Sequence, residues 1–372
     1  MTSHIFSFKI FMEILIKRFT QKNMKAKIKK IQFLSIVIFL LTVIFLLVFI
    51  LTKNTKPKAA ETKESSDKLI LGFSQIGSES AWRTRNTQSI FEAAAENDIQ
   101  IIFDDAQQKQ ENQLKAIRSF IVYQVDVIAF VPIVEDGWDN VLTEAKEAGI
   151  PVILVDRQIN ADPSLYAGFL GEDGLEEGRR AARFLINKCR DNKDTVTIYE
   201  MSGTENSSVV RDRAKGFREI IATDEKFQII HSEDGDFLRS RGKEIAENLI
   251  INSRLPNGNY KTDGLYYNNQ KIDAVYSHND SMTLGLLDSI EAYGVNTRNT
   301  IIISVDAEQK SIDALIAGKL NCVVECNPNL GPMLMNLVKQ IAEGKAIPPV
   351  TYNSESLFTE DDDFSQYQPR GY

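Results

Sequence analysis

The sequence predicts an α/β protein made of two doubly wound parallel-sheet lobes, preceded by a transmembrane helix. From residue 69 onward, short apolar runs alternate with segments of helical periodicity, and this alternation starts afresh near residue 171. Strands that alternate with helices of about 10–15 residues indicate βαβ crossovers and a parallel sheet covered on both faces. The strands outnumber those that one open sheet of this type needs, so we expect two lobes.

The N-terminal segment is basic, whereas the rest of the chain is acidic. Residues 1–30 contain eight Lys or Arg and one acid, a net charge of +7, which leaves −15 for residues 31–372 of a chain whose total is −8. An acidic body repels phosphate backbones, so nucleic acid is not expected as a partner.

A long apolar run follows the basic segment and suggests that the basic residues flank a membrane span. Residues 33–52 (FLSIVIFLLTVIFLLVFILT) carry no charge, and 20 residues at about 1.5 Å each cross a hydrocarbon core about 30 Å thick. Lysines precede the run directly, so the positive-inside rule places residues 1–32 in the cytoplasm and the rest outside, in the periplasm or cell envelope. The run exceeds a secretory h-region of about 7–15 residues, which favours an anchor over a cleaved signal peptide. Cleavage and an alternative start at Met24 both stay open.

The first lobe is expected to comprise residues 69–171 and 327–353, after a polar tether at 53–68. Apolar runs predict strands at 69–73, 101–103, 127–131 and 152–155. Helical periodicity predicts helices at 81–96, 113–123, 141–148 and 334–342.

The second lobe is expected to comprise residues 172–326. Its predicted strands are 196–199, 227–231, 274–277, 301–305 and 322–325. Its predicted helices are 178–188, 209–222, 242–251, 283–292 and 312–317. Residues 253–271 have no apolar period and are rich in Gly, Asn and Tyr, which is typical of a surface insertion.

Cysteines and histidines give no support for catalysis, a metal site or a cofactor. Cys189, Cys322 and Cys326 are expected to be buried apolar residues, because positions four apart in a strand are about 13 Å from each other, too far for a disulfide. The three histidines do not form an HExxH motif, and the chain has no G-x-S-x-G motif. An enzyme is therefore not expected.

Ligands of doubly wound sheets lie beyond the carboxyl ends of the strands. The residues that follow the predicted strands, or lie on the first turns of the next helix, are acids, amides, guanidiniums and one indole: Ser74, Gln75, Ser78, Glu79, Trp82, Arg83, Asp156, Arg157, Ser202, Arg213, His278, Asn279, Asp280, Asp306 and Glu325. Each sugar hydroxyl both donates and accepts hydrogen bonds, so this mixture suits a polyol, and an indole face packs on the C–H face of a ring. A phosphate would need Gly-rich backbone nests and few acids.

Several of these residues also have a purely structural interpretation. Asp156 and Arg157 could form a surface ion pair of small energetic value. Asn279 is a favourable N-cap residue for the helix that follows it, a role compatible with ligand binding. Trp82 could belong to the core, and Arg213 could be a solvated helix residue.

Six sequence runs resemble one family of proteins. They are LGFSQIGSESAWR (71–83), DDAQQKQENQLKAIRSFI (104–121), IPVILVDR (150–157), VVRDRAKGF (209–217), SHNDSMTLG (277–285) and VECNPNLGP (324–332). Together they resemble the sugar-binding proteins of ABC importers, within that group the ribose-binding proteins and, more so, the galactofuranose-binding proteins. The resemblance covers about residues 68–372.

The resemblance implies a type I periplasmic binding protein fold and a set of ligand contacts. The residues that it assigns to the sugar are Glu79, Trp82, Arg83, Asp156, Arg157, Arg213, Asn279, Asp306 and Glu325. The ribose-type pattern has Gln in place of Glu325 and a Phe pair in place of SESAWR, which favours galactofuranose or a related sugar over ribose.

The resemblance also implies a mechanism of hinge closure around a monosaccharide. Three crossings near 171–173, 326–328 and 353–356 would join the lobes, with residues 354–372 as a tail that crosses the hinge. The closed form of an expected monomer would then meet an ABC permease. A membrane-tethered sensor that presents the bound sugar to a chemoreceptor or histidine kinase is the alternative. The exact sugar and the role of residues 253–271 stay open.

Overall fold

The computed structural model describes residues 68–372, so the predicted cytoplasmic segment 1–32, the apolar run 33–52 and nearly all of the tether 53–68 lie outside the described residues. Within residues 68–372, no helix combines the length and the apolar character needed to cross a membrane. Two six-stranded sheets organise this part of the chain.

The first sheet is parallel throughout and has the order β13-β5-β4-β3-β1-β2. Its strands are β1 Ile70–Gln75, β2 Gln100–Asp105, β3 Val127–Phe130, β4 Val152–Val155, β5 Gly168–Gly171 and β13 Val350–Tyr352. Its helices are α1 Ala81–Glu96, α2 Gln110–Tyr123, α3 Asp139–Glu147 and α9 Gly331–Ala342.

The second sheet has the order β14-β12-β11-β10-β6-β7 and is parallel except for β14, which pairs antiparallel with β12. Its strands are β6 Val196–Ser202, β7 Phe227–Asp234, β10 Ala274–Ser277, β11 Ile301–Asp306, β12 Cys322–Glu325 and β14 Leu357–Thr359. Its helices are α4 Gly174–Lys188, α5 Ser208–Ile221, α6 Arg239–Asn252, α7 Asp280–Tyr293 and α8 Gln309–Ile316.

Apolar cores cover both faces of each sheet, as strands buried on two sides require. In β3, for example, Val127 and Ala129 belong to one core, and Ile128 and Phe130 to the other. All four residues of β3 and all four of β4 are buried. The predicted α/β class with two parallel-sheet lobes is confirmed.

The chain passes between the two sheets three times. These passages lie between β5 and α4, between β12 and α9, and between β13 and β14. Because parallel strands present their carboxyl ends at one edge, the loops that follow β1 and β4 in one sheet and β10 and β11 in the other meet between the lobes.

Five short strands were not predicted: β5, β13 and β14 in the two large sheets, and two strands within residues 253–271. Strand β5 has the sequence GFLG, whose two glycines give no strand signal, yet all four of its residues are buried between β4 and β13. Strands β13 and β14 contain three residues each.

The segment 253–271, expected to be an irregular surface insertion, contains an antiparallel hairpin of β8 Tyr266–Tyr267 and β9 Gln270–Lys271. Its turn is Asn268-Asn269, whose φ angles are +48° and +65°. A type I′ turn, common in two-residue hairpins, requires this left-handed conformation at both residues. Leu265, just before the hairpin, is buried in a core of the second lobe.

Candidate functional site

A cavity of about 330 Å³ lies between the carboxyl edges of the two sheets. The first lobe contributes one wall, which we call the first wall: Glu79, Ser80, Trp82, Arg83, Asp156 and Arg157. The second lobe contributes the second wall: Val209, Arg213, Phe237, Asn279, Asp306 and Cys326. Eight of the nine sequence-predicted site residues line this inner cavity, and Glu325 does not.

The start of α1 positions half of the first wall. The Ser80 hydroxyl caps the helix by accepting a hydrogen bond from the Arg83 backbone N–H at 3.0 Å, which places Trp82 and Arg83 in the first turn. Arg83 donates from Nε to Glu79 at 3.0 Å and from Nη2 to Asp156 at 2.7 Å. Burial alone would lower the pKa of Arg83, but Asp156 and Glu79 outweigh it and raise the pKa.

The other half of the first wall follows β4. Asp156 has a φ of +62°, an uncommon conformation for a residue other than glycine. Arg157 donates from Nη1 to the Ile133 carbonyl at 3.2 Å, and its Nε lies 3.8 Å from the Asp156 carboxylate. Burial and the nearby Arg83 lower the pKa of Arg157 to about 10, so it stays charged at neutral pH.

The first wall holds two unused hydrogen-bond donors. Arg83 Nη1 and Arg157 Nε are buried and have no hydrogen-bond partner among residues 68–372. A buried donor without a partner costs about 1–3 kcal/mol, more for a charged group. A ligand hydroxyl between the lobes would accept hydrogen bonds from both residues and remove this cost.

Arg213 of α5 lies in the second wall, and each of its three side-chain nitrogens has a hydrogen-bond partner. Its Nε and Nη2 donate to the two oxygens of Glu177 at 2.6 and 3.3 Å, and Nη1 donates to the His278 carbonyl. Burial alone would lower the pKa of Arg213, but nearby acidic groups, Glu177 foremost, raise it well above its usual value.

Close packing of α4 on α5 creates this pair. A Cβ at Gly178 would lie 2.1 Å from the Arg213 carbonyl oxygen, and one at Gly216 would lie 2.0 Å from the Leu175 carbonyl oxygen. Only glycine fits at these two positions, so they let the helices approach and bring Glu177 against Arg213.

Asn279 and Asp306 are also held by the second lobe. Asn279 caps α7 by accepting from the Met282 N–H at 3.0 Å, and its amide donates to the Phe237 carbonyl at 3.1 Å. Burial raises the pKa of Asp306 well above its usual value against the opposing effect of Arg213, and Asp280 and Glu308 add to the rise. The Asp306 carboxyl group offers oxygen acceptors to a sugar hydroxyl.

Direct contacts join the two lobes around the inner cavity. Trp82 donates from Nε1 to the Cys326 carbonyl at 2.6 Å and from its backbone N–H to Glu308 at 3.2 Å. At the rim, Gln158 N–H donates to the Ser208 hydroxyl at 2.8 Å. The Arg157 guanidinium lies 5.5 Å from the centre of the Phe237 ring. The structure is therefore a closed arrangement of the lobes.

Glu325 has another environment. One carboxylate oxygen accepts from Arg370, and the other accepts from the Ser356 N–H at 2.8 Å. These contacts tie the end of β12 to the C-terminal segment and to the third passage between the sheets.

Four residues of the inner cavity were not predicted as site residues. They are Ser80, Val209, Phe237 and Cys326. Val209 and Phe237 are apolar and carry no chemical signal, and Cys326 was assigned to a core. The loop after β7 could have been found by the strand-end rule, because Phe237 follows that strand as Asp156 follows β4.

Two buried titratable residues, His278 and Asp280, lie behind the second wall. His278 is fully buried and lies 3.1 Å from Glu200 through Nε2; burial lowers its pKa, against the effect of Glu200. Burial and the neighbouring Glu308 raise the pKa of Asp280 to about 8. The three cysteines are free and buried, as expected.

Two α/β lobes that close on a small cavity of charged and amide side chains define a solute-binding protein. Comparison with known families agrees with this class. The chain belongs to the family described as the periplasmic binding protein domain, which matches residues 71–346. Membership of this family implies a location outside the cytoplasmic membrane. The resemblance found in the sequence motifs is confirmed.

Individual relatives are sugar-binding proteins. The chain is 38% identical over 296 residues to the galactofuranose-binding protein YtfQ of Escherichia coli (strain K12), covering 79% of this chain and 88% of the relative. A Mycobacterium smegmatis structure in complex with β-D-fucofuranose is 42% identical, with a TM-score of 0.72 over 78% of this chain and 91% of that one.

A third relative also binds a furanose. It is the binding protein of an arabinose ABC transporter from Shewanella sp. ANA-3, bound to α- and β-L-arabinofuranose. It is 37% identical, with a TM-score of 0.71, and the match covers 78% of this chain and 92% of that one.

Proposed function

We propose that this protein captures a monosaccharide in its furanose form, galactofuranose or a related hexose or pentose, and delivers it to an ABC permease. The observation that carries the proposal is the pair of unpartnered guanidinium nitrogens, Arg83 Nη1 and Arg157 Nε, on the wall of a cavity that joins two lobes. The cavity is narrow and is lined by side chains of both lobes, which suits a small ligand such as one sugar ring.

The two walls would divide the recognition of the sugar between them. Arg83 and Arg157 would donate to ring and hydroxyl oxygens, and Asp156 and Asn279 would add polar contacts from opposite sides. The indole of Trp82 would pack on the C–H face of the ring. Glu79, Arg213 and Asp306 complete the proposed set of contacts.

Closure would couple binding to transport. Opening of the lobes would break the hydrogen bonds that Trp82 donates to Cys326 and Glu308, because these two residues belong to the second lobe. A sugar that contacts both walls favours the closed form by its differential affinity. The lobes that move would be residues 69–171 with 327–353 and residues 172–326, with 354–372 following the third passage.

The N-terminal run completes the proposal. We propose that residues 33–52 anchor the protein in the membrane as a helix and that residues 53–68 tether a monomeric binding domain outside it. This tether would keep the binding domain close to the membrane and to its permease.

The test is a calorimetric titration of the protein with sugars of both ring forms. We expect methyl β-D-galactofuranoside or L-arabinofuranose derivatives to bind at least tenfold more tightly than their pyranose counterparts. Asp156→Ala should weaken furanose binding at least tenfold, because it removes a polar contact and the partner of Arg83. Lys215→Ala, an exposed position on α5, is the control and should leave binding unchanged. Absence of binding to any sugar, or preference for pyranoses, would refute the proposal.

A further inference from the structure

A second and larger cavity opens beside the inner one. The empty space of this outer cavity, including the part open to solvent, is about 1080 Å³. Its lining residues are Gly77, Ser78, Glu79, Asp105, Gln107, Gln108, Ile133, Thr204, Asp236 and Leu238. The last three of these residues belong to the second lobe and the others to the first, so the outer cavity also lies between the lobes.

The outer cavity adjoins the inner one, and Glu79 lies between them. Glu79 lines both: one of its oxygens accepts from Arg83 of the inner cavity, and the other accepts from Gln108 of the outer cavity at 3.1 Å. The loop after β7 is also shared, because Phe237 lines the inner cavity while Asp236 and Leu238 line the outer one.

Like the inner cavity, the outer cavity is lined by carboxylate, amide and hydroxyl groups, but it lacks the arginines of the inner cavity. Carboxylates, amides and hydroxyls converge on it, which suits a polyhydroxylated group, and Ile133 and Leu238 offer apolar surface for the C–H face of a ring. None of its ten lining residues is Lys or Arg, whereas three are acids. A phosphate or nucleotide substituent would be repelled there, so the outer cavity disfavours anionic groups.

Backbone conformation supports a binding role for both loops. Gln107 and Gln108 in the first lobe have φ of +51° and +61°, and Asp236 and Phe237 in the second lobe have φ of +53° and +60°. Two consecutive residues other than glycine in the left-handed region are held so only by their surroundings, and such strain clusters at ligand clamps.

We propose that the outer cavity is a second sugar subsite, so that the protein accepts furanose-containing disaccharides with one ring in each cavity. This inference rests on the proposed function, because the inner cavity must hold the furanose. In the proposed function the inner cavity holds one ring, and a second ring attached to it would lie on the side of Glu79. The ligand class thereby extends from monosaccharides to neutral disaccharides.

The test uses the full chain and calorimetric titration with two sets of ligands. The first is methyl β-D-galactofuranoside, and the second is a set of galactofuranose disaccharides that carry the second ring on O1, O5 or O6. We expect at least one disaccharide to bind the wild-type protein with an affinity equal to or greater than that of the monosaccharide.

Variants of the outer cavity separate the two subsites. Thr204→Trp should fill the outer cavity and weaken disaccharide binding at least tenfold, while monosaccharide affinity changes by less than twofold. Asp236→Asn should weaken disaccharide binding about threefold, since Asn tolerates the left-handed backbone but lacks the anionic acceptor. Thr223→Trp, on the exposed loop after α5, is the matched control and should affect neither ligand.

The outcomes distinguish this inference from the proposed function. Monosaccharide binding without binding of any disaccharide overturns the second subsite and leaves the proposed function intact. An equal loss of both ligands in Thr204→Trp also overturns the second subsite. If no furanose binds the wild-type protein at all, both the proposed function and the inference are refuted.

Discussion

The two walls of the inner cavity hold their arginines in different ways. Among residues 68–372, the Arg157 guanidinium of the first wall makes a single hydrogen bond, to the Ile133 carbonyl, and its Nε has no hydrogen-bond partner. Arg213 of the second wall is bonded at all three of its nitrogens, to Glu177 and to the His278 carbonyl. Both residues are 3% exposed, so burial does not explain the difference.

This difference separates ligand binding from structure. A donor without a protein partner is available to a ligand. A donor that already bonds to its own lobe stabilises the fold of that lobe and also holds the binding site in place. We therefore expect substitutions in the first wall to affect affinity more than stability. Substitutions in the second wall should affect both.

The largest effect is expected for Arg213→Ala. Removal of this guanidinium leaves the Glu177 carboxylate buried without its partner, and breaking such a pair costs about 3–5 kcal/mol. Thermal unfolding should show a drop in Tm of about 6 °C or more, and titration should show at least a tenfold loss of sugar affinity. Lys215→Ala on the same helix is the control. An unchanged Tm would break the contrast between the walls.

Arg157→Ala should reduce affinity as strongly with a smaller effect on Tm. The variant loses one hydrogen bond to Ile133 and the packing on Phe237. It also removes a buried nitrogen that has no hydrogen-bond partner among the described residues, which offsets part of the loss in stability. We expect at least a tenfold loss of affinity and a Tm decrease less than half that of Arg213→Ala. Equal decreases in the two variants would show that both walls are structural.

The third prediction concerns the carboxyl group of Glu355, which lies near Glu177 at the third passage between the sheets. Burial, Glu177 and Glu172 raise the pKa of Glu355 to about 12, with Arg213 opposing. The folded state thus retains a proton that the unfolded state loses near pH 4.5, so this group makes the protein less stable as pH rises above that value.

Glu355→Gln should remove this dependence. Its Tm should be close to that of the wild type at pH 4.5 and higher by several degrees at pH 8, as measured by thermal unfolding across that range. Glu343→Gln, an exposed carboxylate, serves as the control. A constant Tm difference between pH 4.5 and pH 8 would refute a buried proton at this position.

The smallest effect on affinity is expected for Glu325→Gln. The resemblance to the family assigns this residue to the sugar, but its carboxylate is occupied by Arg370 and Ser356. We expect a change in affinity of less than threefold together with a modest decrease in Tm. A tenfold loss of affinity at unchanged Tm would restore Glu325 to the binding site.

Much of the fold could be predicted because the strands are short apolar runs between turn signals. Helix starts were less accurate. Helices α2, α6, α7, α8 and α9 begin three residues before their predicted starts, and α4 begins four before. Their first turns are rich in polar, capping or small residues, so the apolar period becomes visible only in the second turn.

The strand-end rule located most of the candidate site, because carboxyl ends of parallel strands meet at one edge whatever the sequence between them. The rule could not show that a side chain at a strand end also has a structural role. Asn279 both lines the cavity and caps a helix. Glu325 accepts a hydrogen bond from Arg370, which lies 45 residues further along the chain. Such partners, Arg370 among them, are set by tertiary packing and leave no local pattern.

The most direct measurement is a crystal structure of the protein with a bound furanose sugar. The account predicts sugar oxygens within about 3.2 Å of Arg83 or Arg157 in the first wall and of Arg213, Asn279 or Asp306 in the second. A sugar that contacts one lobe only, or that lies outside the inner cavity, would contradict it.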